Sequence, residues 1–171
     1  MKIGILTSGG DVPGLNACIK AIVKGAEQNG WDCVGIKRGW RGLLDYNPDG
    51  DPEINSALSR PLHLSELSGV ENIGGTILHT SRYNPVQINA EFLPEFLKDN
   101  VPASTFKEGT FDCTDHILKI LDLMEIDALI PIGGDGSLRF AAQLTKKNFP
   151  VISIPKTMDN DVNGTDYCIG F

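Results

Sequence analysis

Long apolar runs, paired cysteines and an excess of positive charge are all missing from this sequence. No apolar segment approaches membrane-spanning length, and the N-terminal apolar run is too short for a signal-peptide core. The four cysteines are scattered without a C-x-x-C pair, which argues against a zinc site and a disulfide framework. The histidines show no metal-ligand spacing. We therefore expect a cytoplasmic protein with free thiols that does not bind membranes.

Acidic residues outnumber basic ones by 22 to 15, which gives a net charge of -7. Non-specific nucleic-acid binding relies on basic surface, so we expect no nucleic-acid partner. A local anion site remains compatible with this charge, because backbone N–H groups bind phosphate without net positive charge. The length of 171 residues is sufficient for one domain with a real core.

Apolar residues alternate between strand-like runs and helical spacing in two stretches of the chain. The composition of residues 38–72, between these stretches, favours loops and short helices. Residues 83–109 lack the alternating pattern, and we interpret them as an excursion or insertion. Alternation of this kind predicts an α/β fold, with a Rossmann-like, mainly parallel sheet and flanking helices. The predicted elements are strand Ile3–Thr7, helix Leu15–Gln28, strand Cys33–Ile36, helix Phe111–Glu125, strand Asp127–Ile132, helix Leu138–Lys147 and strand Val151–Ile154.

Three segments rich in glycine or acid follow predicted strands: residues 8–14, 133–137 and 155–161. Ligands of parallel sheets bind beyond the carboxyl ends of the strands, so their coincidence predicts one shared site. In the first segment, glycines at Gly9 and Gly10 let the backbone approach an anion at the following helix N-terminus. A tight turn without a ligand is the alternative for this segment.

In the second segment, Gly134 and Gly136 free backbone donors around Asp135. An acid beside a phosphate site requires a cation between them, and Mg²⁺ suits one carboxylate that shares it with phosphate oxygens. Ser137 can donate to a phosphate. The alternative is that Asp135 or Ser137 only caps the next helix.

The third segment combines a lysine, a hydroxyl and two acids at the exit of a buried strand. Phosphoryl transfer to an alcohol needs a base, and the carboxylate of Asp159 or Asp161 can accept the proton. Thr157 can donate to a phosphoryl oxygen, and Lys156 can neutralise its charge. A polar surface turn with Asx turns is the alternative.

Arg82 and Tyr83 follow another glycine-rich run. An arginine can bind phosphate and a neighbouring aromatic ring can stack on a base. From the residues alone, a surface charge and a partly buried ring are favoured.

The motifs Thr7–Asn16, Gly133–Ser137, Pro155–Asp161 and Gly164–Phe171 resemble, in order and spacing, those of the 6-phosphofructokinase family. The resemblance implies transfer of a phosphoryl group to the 1-hydroxyl of fructose 6-phosphate with Mg²⁺. It implies Asp159 as the base, Asp135 as the magnesium ligand, and Thr157 and Asp161 as supporting groups. It also implies substrate contacts at Thr157, Met158 and Asp159. The donor-binding residues that it implies are Gly9, Arg82, Tyr83, Gly134, Asp135, Gly136 and Ser137.

The resemblance leaves the phosphoryl donor open between ATP and pyrophosphate. A glycine at position 136 is typical of ATP-dependent members, because a second acid there would repel the α-phosphate. A lysine at position 156 is frequent in pyrophosphate-dependent members. We expect ATP, since residue 136 decides whether the nucleotide fits. An NAD or lipid kinase shares the Gly-Gly-Asp-Gly-Ser/Thr signature, but the segments 7–16 and 156–161 argue against it.

Two features depart from the family pattern. Lys20 and Lys24 stand where bacterial members use arginines for an allosteric nucleotide, so that site is not carried over. Family chains also continue well beyond Phe171. We expect residues 1–171 to be the N-terminal phosphoryl-donor-binding domain of a longer homo-oligomeric protein. A nucleotide- or phosphate-binding module without catalysis of its own is the alternative for the isolated chain.

Overall fold

The structure, a computed structural model, describes residues 1–98, 106, 107 and 109–171. Its strands are β1 (Lys2–Thr7), β2 (Asp32–Ile36), β3 (Ser59–Leu62), β4 (Ile88–Asn89), β5 (Phe106–Lys107), β6 (Thr110–Phe111), β7 (Ala128–Gly133) and β8 (Ile154–Pro155). Its α-helices are α1 (Leu15–Gln28), α2 (Trp40–Asp45), α3 (Pro52–Ser56), α4 (Glu95–Lys98), α5 (Thr114–Leu123) and α6 (Asp135–Lys146). Single 3-10 turns lie at Leu64–Glu66, Val70–Asn72 and Ala90–Phe92. Within this described part of the chain, no helix has both the length and the apolar character to cross a bilayer.

The main sheet has five strands in the order β3-β2-β1-β7-β8. Strand β1 pairs in parallel with both β2 and β7, and β8 extends the parallel part beyond β7. Only β3 runs antiparallel, at the opposite edge beside β2. The predicted α/β class with a mainly parallel sheet is therefore confirmed.

Helices cover both faces of this sheet because residues alternate along each strand. On one face, Ile3 and Ile5 of β1 belong to the same buried cluster as Ile19 and Val23 of α1. On the other face, Leu6 of β1 belongs to a cluster with residues of α2, α5 and α6. The spacing of three and four residues in the helices places their apolar side chains on one side, where the sheet buries them.

Several predicted boundaries are wrong by part of an element. Phe111 lies in β6 rather than in a helix, and α5 begins only at Thr114. Helix α6 begins at Asp135, three residues earlier than predicted, because Gly134 is its N-cap. The predicted strand Val151–Ile154 is reduced to a bridge from Leu129 to Val151 and the short β8.

The predicted excursion over residues 83–109 contributes to a separate antiparallel sheet in the order β4-β6-β5. Residues 99–105 and 108 lie outside the described residues, so the prediction is tested only in part. A third buried cluster, which includes Ile88, Leu93 and Leu97, joins the described part of this region to Leu44 of α2.

Candidate active site

Three strand ends meet at one edge of the main sheet, as the sequence predicts. The Ser8 N–H donates to the Ile132 carbonyl at 2.9 Å, and the Lys156 N–H donates to the Gly133 carbonyl at 3.0 Å. A cavity of about 400 Å³ opens beyond this edge. It is lined by Gly9, Gly10, Asp11, Val12, Arg82, Gly134, Asp135, Lys156, Thr157, Met158, Asp159 and Asp161.

The glycine turn after β1 is held by the segment that carries Arg82. The Gly9 N–H donates to the Ser81 carbonyl at 3.0 Å, and the Thr80 hydroxyl donates to the Gly9 carbonyl at 2.7 Å. Gly9 has a backbone φ of 89°, in the left-handed region that residues other than glycine rarely adopt. This connection brings Arg82, which is far away in sequence, to the cavity beside the first glycine segment.

Lys156 is the buried cation of the site, with only 4% of its surface exposed. Its Nζ donates to the Gly10 carbonyl at 2.6 Å. Burial lowers the pKa of Lys156, the carboxylate of Asp11 acts to raise it, and the guanidinium of Arg82 lowers it, with a net decrease. The carboxylate of Asp11 compensates only part of the effect of burial on the Lys156 ammonium. A bound phosphate would add a further negative charge that stabilises this ammonium.

Asp135 is the first residue of α6 and lies at the positive end of that helix. Its carboxylate is exposed and forms an ion pair with Arg139, with Nε and Oδ2 2.7 Å apart. The N-cap of α6 is Gly134, which has no side chain that could cap the helix. Neither Asp135 nor Ser137 is at the N-cap position, so the alternative that one of them serves only as this helix cap is wrong.

Residues 157–161, which we call the acid loop, contribute Thr157, Met158, Asp159 and Asp161 to the lining of the cavity. The Thr157 hydroxyl accepts a hydrogen bond from the Asp159 N–H at 3.2 Å, and the Thr157 N–H donates to the Ile169 carbonyl at 3.1 Å. Asp159 and Asp161 are both exposed. The cavity thus combines three predicted carboxylates (Asp135 and these two) with the cations of Lys156 and Arg82.

Tyr83, Gly136 and Ser137 do not line this cavity. The Cζ atom of the Arg41 guanidinium lies over the Tyr83 ring, 4.8 Å from the centroid of that ring. The Tyr83 ring also packs edge-on against the ring of Phe92. The Ser137 hydroxyl is buried and accepts a hydrogen bond from the Trp40 indole at 3.4 Å. Their roles in donor binding stay predictions.

Gly136 is exposed on the first turn of α6. A Cβ atom built at this position meets nothing within 4 Å. The space beside Gly136 is therefore open, and no packing within the described part of the chain requires a glycine there.

Sequence reasoning placed Gly9 and Gly10 at an anion site but gave no role to Asp11 and Val12, which also line the cavity. The signal for Asp11 and Val12 was their position directly after these glycines in the segment 8–14. Gly10 matters through its carbonyl, which no side-chain pattern reveals.

A magnesium ion is compatible with these residues only as an ion shared with a ligand. In the described ranges, no group of three or more His, Cys, Asp or Glu side chains could hold a metal ion. Mg²⁺ is commonly bound through one or two carboxylates together with substrate phosphates. The exposed carboxylate of Asp135 suits that mode, with Arg139 as the partner that the ion would displace.

A sequence model described as "Phosphofructokinase" matches residues 2–171. The chain belongs to the phosphofructokinase family. The predicted resemblance is confirmed, and the relatives named below are phosphotransferases.

Curated relatives from this family use two different donors, according to their names. A pyrophosphate–fructose 6-phosphate 1-phosphotransferase of Amycolatopsis mediterranei is 41% identical over 172 residues, covering 100% of this chain and 41% of the relative. An ATP-dependent 6-phosphofructokinase of Oceanobacillus iheyensis is 39% identical over 170 residues, covering 99% of this chain and 43% of the relative. The chain therefore spans about two fifths of the length of these phosphofructokinases.

Solved phosphofructokinases share the fold. The T-state structure from Pichia pastoris superposes with a TM-score of 0.71 at 26% identity, covering 99% of this chain and 16% of that one. A pyrophosphate-dependent phosphofructokinase from Marinobacter aquaeolei superposes with a TM-score of 0.65 at 17% identity, which speaks for the fold alone.

Proposed function

We propose that residues 1–171 form the N-terminal, phosphoryl-donor-binding domain of an ATP-dependent 6-phosphofructokinase. The reaction transfers the γ-phosphoryl group of ATP to the 1-hydroxyl of fructose 6-phosphate, giving fructose 1,6-bisphosphate and ADP. The observation that carries the proposal is the cavity in which Lys156, Asp135 and Asp159 meet at the carboxyl edge of a parallel sheet.

Each residue of the cavity has a role that its chemistry supports. Asp159 accepts the proton of the sugar 1-hydroxyl while the oxygen of that hydroxyl bonds to the γ-phosphorus. At the same time the bond between the γ-phosphorus and the bridging oxygen breaks, and ADP leaves with that oxygen. Lys156 and Arg82 neutralise charge on the phosphoryl oxygens, and Thr157 donates a hydrogen bond to them. Asp135 would hold Mg²⁺, which when bound neutralises charge on the donor phosphates. Asp161 supports the base from the same loop.

ATP is proposed as the donor because of the open space beside Gly136. A donor with an α-phosphate and a nucleoside needs room beyond the two phosphates that react. An aspartate at this position would place negative charge where the α-phosphate lies.

Pyrophosphate is the second candidate donor, and two observations favour it. The Lys156 ammonium is buried at the cavity and could take the charge of a compact diphosphate. The relative from Amycolatopsis mediterranei is named a pyrophosphate-dependent enzyme. Initial rates with each donor, measured on the natural gene product that contains this chain, distinguish the two.

Replacement of the proposed base tests the role of the acid loop. In the natural gene product, Asp159→Ser should lower kcat by about 10²- to 10⁴-fold, because the hydroxyl proton loses its acceptor. Donor binding, measured by calorimetry with Mg²⁺, should be retained. Asp49→Ser is the control, since Asp49 is an exposed loop aspartate outside the cavity.

Near-normal turnover of Asp159→Ser would remove Asp159 as the base. Magnesium-dependent donor binding by the wild-type protein without any transfer to fructose 6-phosphate would favour a binding module without catalysis.

A further inference from the structure

Asn160 stands between the two acids of the acid loop, and its backbone conformation is unusual. Its φ is 51°, in the left-handed region. Asparagine tolerates this region better than most residues, because its short side chain can form compensating hydrogen bonds. The turn at Asn160 sets the directions in which Asp159 and Asp161 leave the backbone.

The side chain of Asn160 makes two hydrogen bonds to a segment further along the chain. Its Nδ2 donates to the Asp166 carbonyl at 3.0 Å, and its Oδ1 accepts from the Cys168 N–H at 2.9 Å. An Asx turn would bond two residues on. These partners lie six and eight residues away, so the amide connects two separate segments.

The segment that Asn160 contacts is itself held against the sheet and the glycine turn. The Ile169 N–H donates to the Pro155 carbonyl at 3.0 Å, and the Ile169 carbonyl accepts from the Thr157 N–H at 3.1 Å. A Cβ atom built on Gly170 would lie 2.4 Å from the Cβ of Val12, so these two residues are in close contact. Residues 166–170 therefore form a fixed support beneath the acid loop.

The two acids have no comparable support of their own. Both are exposed, and neither carboxylate takes a hydrogen bond from a residue within the described ranges. The Asp159 N–H bonds only to the Thr157 hydroxyl of the same loop. The acid loop is thus attached to residues 166–170 at two places, the Thr157 N–H and the Asn160 side-chain amide, and only the amide lies between the two carboxylates.

We infer that Asn160 is a positioning residue that clamps the acid loop onto residues 166–170 and so holds Asp159 in place for proton transfer. The inference rests on the proposed function for the role of Asp159. Reacting groups must be aligned closely, and a misplacement of about 1 Å lowers a rate by roughly 100-fold. The clamp acts through Asp159, and Asn160 itself is not among the residues that line the cavity.

The test is Asn160→Gly, with Asn148→Gly as the matched control. Asn148 also has a left-handed backbone, with a φ of 64°, and it is exposed after the end of α6. Glycine is unstrained at both positions, so neither substitution adds backbone strain. The two variants differ because Asn160→Gly removes the two side-chain hydrogen bonds of Asn160. Both variants are made in the natural gene product that contains this chain.

In Asn160→Gly, we expect kcat to fall about 10- to 100-fold while the Kd for the donor stays within twofold of wild type. Amide hydrogen exchange at Cys168 should be about tenfold faster, because its acceptor is lost. In Asn148→Gly, kcat and exchange at Cys168 should both match wild type.

Turnover of Asn160→Gly within twofold of wild type would overturn the inference, and so would unchanged exchange at Cys168. A loss of turnover accompanied by an equal loss of donor affinity would also overturn it, because the whole site would then be disturbed. Wild-type protein that transfers no phosphoryl group from ATP or pyrophosphate would instead overturn the proposed function, and the role in turnover with it.

Discussion

The substitution Gly136→Asp tests the choice between the two donors most directly. Gly136 is the second residue of α6, and a Cβ atom there meets nothing within 4 Å. The first atom of an added aspartate side chain therefore meets no neighbour. A negative charge in the first turn also interacts favourably with the helix dipole, so the fold should keep its stability.

The effect on ATP binding follows from the charge of the new side chain. Two unit charges roughly 4–8 Å apart at an effective dielectric constant of about 20 repel by about 2–4 kcal/mol. Gly136 is exposed, and screening at a Debye length of about 10 Å reduces the repulsion further, to about 0.9–2.8 kcal/mol. At about 1.4 kcal/mol for each factor of ten, KM for ATP should rise roughly 4- to 100-fold. Pyrophosphate has no α-phosphate, so its KM should change far less.

The assay is the initial rate of fructose 1,6-bisphosphate formation at varied ATP or pyrophosphate, with Mg²⁺ in excess. Gly136→Asn is the matched control, because it adds a side chain of nearly the same size without charge. We expect Gly136→Asn to raise KM for ATP much less than Gly136→Asp does. An unchanged KM for ATP in Gly136→Asp would refute the argument that residue 136 faces the α-phosphate.

Two further predictions concern stability. Gly170→Ala should lower the free energy of unfolding in urea by about 2–4 kcal/mol, because the methyl group meets Val12 and the φ of 98° is strained. Gly164→Ala, with a φ of 91° but open space, should show only the strain of about 1–2 kcal/mol, and equal losses would contradict this. Because burial lowers the pKa of Lys156 below its ordinary 10.5, the unfolded chain binds this proton more tightly. The stability of wild type relative to Lys156→Met, from melts at several pH values, should therefore rise between the lowered pKa and 10.5; a flat difference would contradict it.

The predicted parallel core follows from hydrophobic pattern and is confirmed. The opening β1-α1-β2 unit is recovered nearly to the residue, because α1 has a strong apolar stripe and ends at Asn29-Gly30. β7 is equally clear, since it is a continuous apolar run buried on both faces.

The elements that sequence reasoning missed lack such a pattern. β3 reads Ser-Arg-Pro-Leu and is too polar and too short to be recognised as a strand. It lies at the sheet edge, where the proline at position 61 is tolerated because an edge strand leaves some N–H groups unpaired. The small sheet is built from pairs of two residues, which no periodicity can reveal.

The convergence of the cavity residues was predictable because a parallel sheet brings its carboxyl ends to one edge. The participation of Arg82 was predictable only from the family resemblance, since it depends on the Gly9 N–H bonding to the Ser81 carbonyl. The alternative of a surface charge was favoured from the residues alone. Only the contact between two segments about seventy residues apart places the guanidinium at the cavity.

Side-chain direction was the part of the site that the sequence could not determine, and α2 is the physical reason. The Trp40 indole donates a hydrogen bond to the Ser137 hydroxyl, and the Arg41 guanidinium lies over the Tyr83 ring. Both partners come from one short helix that carries no motif of its own. Trp40 is fully buried against Phe140 of α6, so its position is set by core packing. The surroundings of Ser137 and Tyr83 are therefore set by two side chains of α2, and no motif in the sequence could predict that these two residues lie outside the cavity lining.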